Sequence, residues 1–202
     1  MKALCVTGVS TRSDAAFDRF VAGFGDSPPD FFEVRDKSAS DRRLLDLLAR
    51  AVATLSAARV LANARFDLAL AAGAGGVVLP EDGLPIEPVR RETPRGFRVG
   101  KSTHSADAAR RAADEGADVV LLGPIFATPS KAGFGAPLTP GALDDLVSGW
   151  PAETELFLIG GIGVAQLDAL DSRRERFAGI AGIRVFEDTP DPGAAVREIR
   201  GR

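Results

Sequence analysis

His104 is the only histidine in the sequence, and it falls where a short apolar run gives way to helical spacing, in Gly100-Lys101-Ser102-Thr103-His104-Ser105. Imidazole titrates near neutrality, so a histidine at such a boundary is the natural candidate for moving a proton. A helix-capping role is its plainer alternative. A second group lies in Glu33-Val34-Arg35-Asp36-Lys37. In an extended chain Glu33, Arg35 and Lys37 share one side, and two neighbouring cations repel unless an anion sits between them; a solvated charged loop is the alternative. Asn63, in Val60-Leu61-Ala62-Asn63, could aim an amide at the same place or cap the helix that follows.

Glycines gather at Leu158-Ile159-Gly160-Gly161-Ile162-Gly163, where unobstructed backbone amides make an anion cradle. Arg184 lies at the end of a later apolar run and could reach the same anion bidentately or pair with Glu187 or Asp188. Between these lies an irregular stretch from Gly123 to Leu138, carrying Thr128, Ser130 and Lys131 among glycines and prolines. Loops of that length in a compact fold commonly serve function, and this one suits a lid over a phosphate or, alternatively, a surface crossing that its prolines stiffen.

These residues all lie at or just beyond the ends of short apolar runs. The runs are Ala3–Val6, Phe31–Val34, Val60–Ala62, Gly76–Leu79, Phe97–Val99, Val119–Leu122, Leu156–Ile159 and Ile180–Val185. Each is succeeded by helical spacing, as in Leu44, Leu45, Leu47, Leu48, Val52 and Leu55, or in the alanine-rich stretch from Ala106 that Gly116 stops. Eight βα units in alternation predict a parallel sheet covered by helices. The turn after the first run, Thr7-Gly8-Val9-Ser10, lacks the glycine fingerprint of a dinucleotide-binding sheet. Glycines after the seventh run instead suit a closed (β/α)₈ TIM barrel, whose phosphate sites form after strands seven and eight. No linker, charge block or low-complexity tract divides residues 1–202, so one TIM-barrel domain is expected, compact beside the roughly 250 residues usual for this fold.

Composition narrows the partners. Apolar residues make up 45% and charged residues 26%, with a net charge of −3, which gives no reason to expect nucleic acid or an anionic membrane. No apolar run approaches the roughly 18 residues of a membrane helix, and no signal peptide is visible at Met1–Val6, so a cytoplasmic protein is expected. Cys5 is the single cysteine and lies in an apolar run, which excludes an intrachain disulfide and predicts a packed thiol. Self-association into a homo-oligomer is left open.

Taken together, these segments resemble the thiamine-phosphate synthase/TenI-like family over roughly Glu33 to Phe186. Glu33-Val34-Arg35-Asp36-Lys37 resembles its Q-[LVI]-R-[ED]-K, and Asn63 followed by Asp67-Leu68-Ala69-Leu70-Ala71 resembles its I-N-D-x-x-D-L-A-L-A. Gly100 to His104 matches G-x-S-[TV]-H. Gly116-Ala117-Asp118 leading into Gly123 to Lys131 is the most specific piece, and Gly160-Gly161-Ile162 is similar to the family's phosphate-binding turn. The resemblance implies the same barrel and a small phosphorylated thiazole as ligand. For a synthase it implies Mg²⁺ and a pyrophosphate held by Arg35, Lys37, Asn63, Ser102 and Lys131.

The departures set the expectation for activity. Asn63-Ala64 stands where the synthase pattern reads Asn-Asp. Gly83 falls at a second metal carboxylate, leaving Glu81 or Asp82 as substitutes on a shifted loop. Glu33 stands where an amide is usual. Because Mg²⁺ requires hard oxygen ligands, the sequence points to a TenI-like thiazole phosphate tautomerase, an isomerase without cofactor. In that reading His104 is the acid/base and Gly160, Gly161 and Arg184 hold the phosphate, with Lys37 and Ser102 on the carboxylate. The alternatives are a Mg²⁺-dependent thiamine-phosphate synthase, a transferase, and a non-catalytic thiazole phosphate binder or regulator.

Overall fold

The structure is a computed structural model and describes residues 1–127, 139–163 and 166–202. Eight parallel strands close into a barrel in chain order: β1 (Lys2–Val6), β2 (Phe31–Val34), β3 (Val60–Asn63), β4 (Gly76–Leu79), β5 (Arg98–Thr103), β6 (Val119–Leu122), β7 (Glu155–Ile159) and β8 (Gly179–Gly182). β8 pairs with β1 through Ala3↔Ile180 and Leu4↔Ala181, so no sheet edge remains. The expected barrel is the observed fold.

Period-two alternation divides each strand between two environments. Leu4, Val6, Phe31, Leu61, Val78, Leu121 and Phe157 meet inside the barrel. Their neighbours, among them Cys5, Phe32, Ala62, Val77 and Leu122, pack outward beneath the helices. Cys5 is therefore a buried thiol under the helical layer, and burial pushes its pKa up. That matches the packed cysteine expected.

The helices cover the barrel for local reasons. α1 (Asp14–Ala22), α2 (Asp41–Leu55) and α5 (Ala106–Asp114) each begin on a serine whose hydroxyl accepts a backbone N–H of the first turn. α2 buries Leu44, Leu47, Leu48, Ala51 and Leu55, each leucine worth about 1.5–3 kcal/mol if fully removed from water. α5 buries Ala108, Ala109 and Ala112 and stops before Gly116, whose φ of 85° continues no helix. α3 (Phe66–Ala72) and α4 (Ile86–Glu92) are two turns each, and α6 is Pro140–Val147. After β7 the chain makes 3₁₀ turns over Asp168–Arg176, and β8 is followed by α7 (Arg184–Glu187) and α8 (Pro192–Gly201). The expected eighth strand, Ile180–Val185, therefore ends early: pairing stops at Gly182, and Arg184 opens a one-turn helix. Among the described residues no helix is long and apolar enough to cross a membrane.

The two ends of the barrel differ in chemistry. At the N-terminal end of the strands Glu155 takes Lys2 at 2.8 Å and Arg98 at 3.5 Å, and the Arg98 guanidinium lies 4.9 Å from the Phe31 ring centre. Beside it, Asp118 accepts Arg90 Nη2 and the Val99 backbone N–H, both at 2.7 Å, tying α4 to β5 and β6. Asp118→Ala would strip the Val99 amide and the Arg90 guanidinium of that acceptor. A loss of about 1–3 kcal/mol is expected, read from urea unfolding midpoints, with ligand binding at the opposite end of the barrel unchanged.

Candidate functional site

At the C-terminal end of the strands the inward side chains are polar. β2 brings Glu33 inward at 2% exposure, where its Oε1 accepts the Asn63 side-chain amide of β3 at 2.7 Å. Burial pushes the Glu33 carboxyl up to about 7, against the opposing pull of the Asn63 hydrogen bond and the Arg35 charge. Two residues on, the Arg35 backbone is pinned to the fully buried Thr7: its N–H donates to Thr7 Oγ1 at 2.8 Å, and Thr7 Oγ1 donates to its carbonyl at 2.9 Å. Asp36 then makes a tight turn, accepting Ser38 N–H at 2.9 Å, Ser38 Oγ at 2.7 Å and Ala39 N–H at 3.1 Å. Burial works against its charge, yet these hydrogen bonds hold the Asp36 carboxyl below its ordinary range. Arg35 is half-buried and Lys37 exposed.

The next three strands supply a paired histidine. Ala64, just beyond β3, has φ of 63°, and its N–H donates to the Val78 carbonyl of β4 at 2.9 Å. Glu81 follows β4 and His104 follows β5, and because those strands are neighbours their ends meet. Glu81 Oε2 accepts the His104 backbone N–H at 2.7 Å and lies 2.7 Å from His104 Nδ1. Ser102 is half-buried on the inward side of β5, while Lys101, buried at 8% exposure, turns outward and donates to the Leu84 carbonyl at 3.0 Å.

Glycines form the opposite rim. Gly160 and Gly161 have φ of 96° and 69°, and a Cβ on either would approach the backbone of Pro124 or Phe126 within 2.8 Å. They bound a cavity of about 690 Å³ that Gly163, Gln166, Gly182 and Arg184 also line. The Gly163 N–H, one of the amides of the cradle, donates to Gln166 Oε1 at 3.0 Å. Arg184 is exposed at the start of α7, whose Glu187 accepts the Gly8 N–H at 2.8 Å.

Of the residues singled out in the sequence, Arg35 and Lys37 follow β2, Asn63 ends β3, Ser102 lies near the end of β5 with His104 just beyond it, and Gly160, Gly161 and Arg184 follow β7 and β8. Thr128, Ser130 and Lys131 lie outside the described residues. Asp82 is exposed, and Glu81 is engaged by His104. The sequence reading missed the Glu33–Asn63 hydrogen bond, the Glu81–His104 pair and the Gln166 contact. Strand parity alone carried a signal for the first.

The family model for thiamine monophosphate synthase matches residues 5–186. The chain belongs to the thiamine monophosphate synthase family. A thiamine-phosphate synthase of Methanoculleus marisnigri is 38% identical over 176 residues, covering 86% of this chain and 81% of its own. A protein of Geobacter sulfurreducens named putative thiamine-phosphate synthase is 36% identical over 171 residues, covering 83% and 78%. Among solved structures, thiamine phosphate pyrophosphorylase from Pyrococcus furiosus has the same fold, with a TM-score of 0.79, 23% identity, and coverage of 99% of this chain and 94% of its own.

These relatives overturn the expectation of a TenI-like tautomerase. The family model spans residues 5–186, which include every strand end of the mouth, and the relatives carry the synthase name. The tautomerase reading gave two missing carboxylates more weight than the rest of the shared pattern.

The Mg²⁺ implied by the resemblance does not fit the donors present. Mg²⁺ takes octahedral oxygen ligands, usually one or two carboxylates with phosphate oxygens. Ala64 offers no oxygen from its side chain and Gly83 has none; of the two possible substitutes, Glu81 Oε2 already accepts two contacts from His104, and Asp82 is exposed. Among the described residues no group of three or more His, Cys, Asp or Glu is placed to hold a metal ion.

Proposed function

We propose that this chain is a thiamine-phosphate synthase, a transferase that joins a pyrimidine diphosphate to a thiazole phosphate and expels pyrophosphate. The observation that carries the reading is the 36–38% identity to relatives of that name over about four fifths of both chains. The barrel mouth supports it with two rims of complementary chemistry. Gly160, Gly161 and Arg184 would take the thiazole phosphate in the cavity after β7 and β8. Arg35, Lys37, Asn63 and Ser102, with Lys131, would hold the diphosphate of the other substrate.

Holding both substrates in one mouth turns a bimolecular displacement into a local one, and donors aimed at the departing diphosphate stabilise the charge it gains as its bond breaks. Glu81 would hold His104 with its Nδ1 side toward β4, so the ring edge bearing Nε2 is directed elsewhere. Phosphorylated substrates of this kind fit a cytoplasmic setting. Incubation with both substrates is expected to release pyrophosphate in step with thiamine phosphate, followed by a coupled pyrophosphate assay and chromatography. Release no faster than without the protein, with and without Mg²⁺, would overturn the proposal.

A further inference from the structure

Several cations around the barrel are spent on carboxylates: Arg43 on Asp14 and Asp46, Arg50 on Asp18 and Asp46, Arg65 on Asp41 and Asp67. Arg35 and Lys37, at the mouth, are not among them. Among the described residues neither charged end makes a hydrogen bond or ion pair, although the Arg35 backbone is fixed by two hydrogen bonds to a fully buried threonine. A rigid backbone that presents two unpaired cations at the mouth is organised to receive an anion. Glu33, whose carboxyl feels the Arg35 charge, is buried against Asn63 and, among the described residues, forms no ion pair. Asn63 itself ends β3, the strand paired to β2 through Glu33↔Leu61 and Val34↔Ala62.

The acidic side of the mouth is arranged in the opposite sense. Glu81 is turned to His104, and Ala64 carries only a methyl group. Yet Ala64 keeps φ of 63°, a left-handed conformation that costs an alanine about 1–2 kcal/mol and that asparagine and aspartate adopt more readily. The backbone thus retains a shape suited to an aspartate while the oxygen is gone.

We infer that this barrel mouth binds the diphosphate group through Arg35 and Lys37 without a divalent cation. The inference rests on the synthase reading for the identity of the anion, but binding can be measured without turnover. Titration of the whole protein with inorganic pyrophosphate, by calorimetry, is expected to give an affinity in EDTA at least as high as in excess Mg²⁺. Arg35→Ala combined with Lys37→Ala should weaken it by more than about tenfold, because two charge-assisted contacts are lost. Ala64→Asp supplies an oxygen on a backbone that favours it, and its pyrophosphate affinity should become more than about tenfold tighter in Mg²⁺ than in EDTA.

Pyrophosphate binding to the unaltered protein that requires Mg²⁺, or no binding under either condition, would overturn the inference. Mg²⁺-dependent binding together with thiamine phosphate formation would do so while leaving the synthase reading intact. Metal-free binding without any turnover would support the inference and defeat that reading.

Discussion

Gly161→Ala is expected to raise the KM for thiazole phosphate by about a hundredfold, because it displaces the cradle by a fraction of an ångström to an ångström. Two effects add. At φ of 69° an alanine pays about 1–2 kcal/mol that glycine does not. Its Cβ would also stand 2.7 Å from the Phe126 carbonyl oxygen and 2.9 Å from the carbonyl carbon, which are backbone atoms and cannot rotate away. Phe126 is itself tied into this turn, its N–H donating to the Gly160 carbonyl at 3.0 Å. Relief therefore has to come from the segment that carries the amides proposed to face the phosphate. Gly141→Ala is the matched control: it lies in α6, and a Cβ there meets nothing within 4 Å. Its KM and its phosphate affinity should equal those of the parent protein, while Gly161→Ala should lose affinity for both the thiazole phosphate and inorganic phosphate. Equal KM values for the two variants would remove the glycine turn from the phosphate site.

The place of that turn was legible in the sequence because the glycine run follows the seventh apolar run, where β7 ends; its use for phosphate belongs to the proposal. The barrel was legible for a similar reason: buried parallel strands are continuous apolar runs, and each one is punctuated by a helix with its own cap, such as Ser40 before α2 or Ser105 before α5. The end of β8 was misjudged because Ile183 and Val185 continue the apolar texture into α7, and burial in a short helix looks like burial in a strand. The site was legible only residue by residue. His104 and Glu81 are 23 positions apart, and their meeting follows from β4 and β5 being neighbours in the closed sheet, which no local pattern encodes. Activity was misread for a different reason. The absence of two carboxylates is a local fact, whereas the synthase likeness is spread over most of the chain.

Glu33→Gln is expected to stabilise the protein at pH 8 by up to about 3 kcal/mol and to leave stability near pH 4.5 almost unchanged. The sign follows from proton counting. The carboxyl ordinarily titrates near 4.5, and burial at 2% exposure raises it to about 7 in the folded chain. Below pH 4.5 it is protonated both folded and unfolded, so it contributes no pH dependence. Between 4.5 and 7 the unfolded chain releases its proton while the folded chain keeps it, so stability falls with rising pH at about 1.4 kcal/mol per unit. Above 7 both forms are ionised and the loss is complete. Glutamine has the same shape as the neutral acid, still offers Asn63 Nδ2 an acceptor, and never ionises. Asp36, whose carboxyl is held below its ordinary range, acts only at the acid end and does not enter this window. Urea unfolding at pH 5 and pH 8 measures the effect, and equal stabilities of parent and variant at pH 8 would show that Glu33 ionises at its ordinary pH. If pyrophosphate binds beside Glu33 as proposed, ionisation of that carboxyl opposes it, so the Glu33→Gln variant should bind pyrophosphate more tightly than the parent protein above pH 7 and equally well near pH 5.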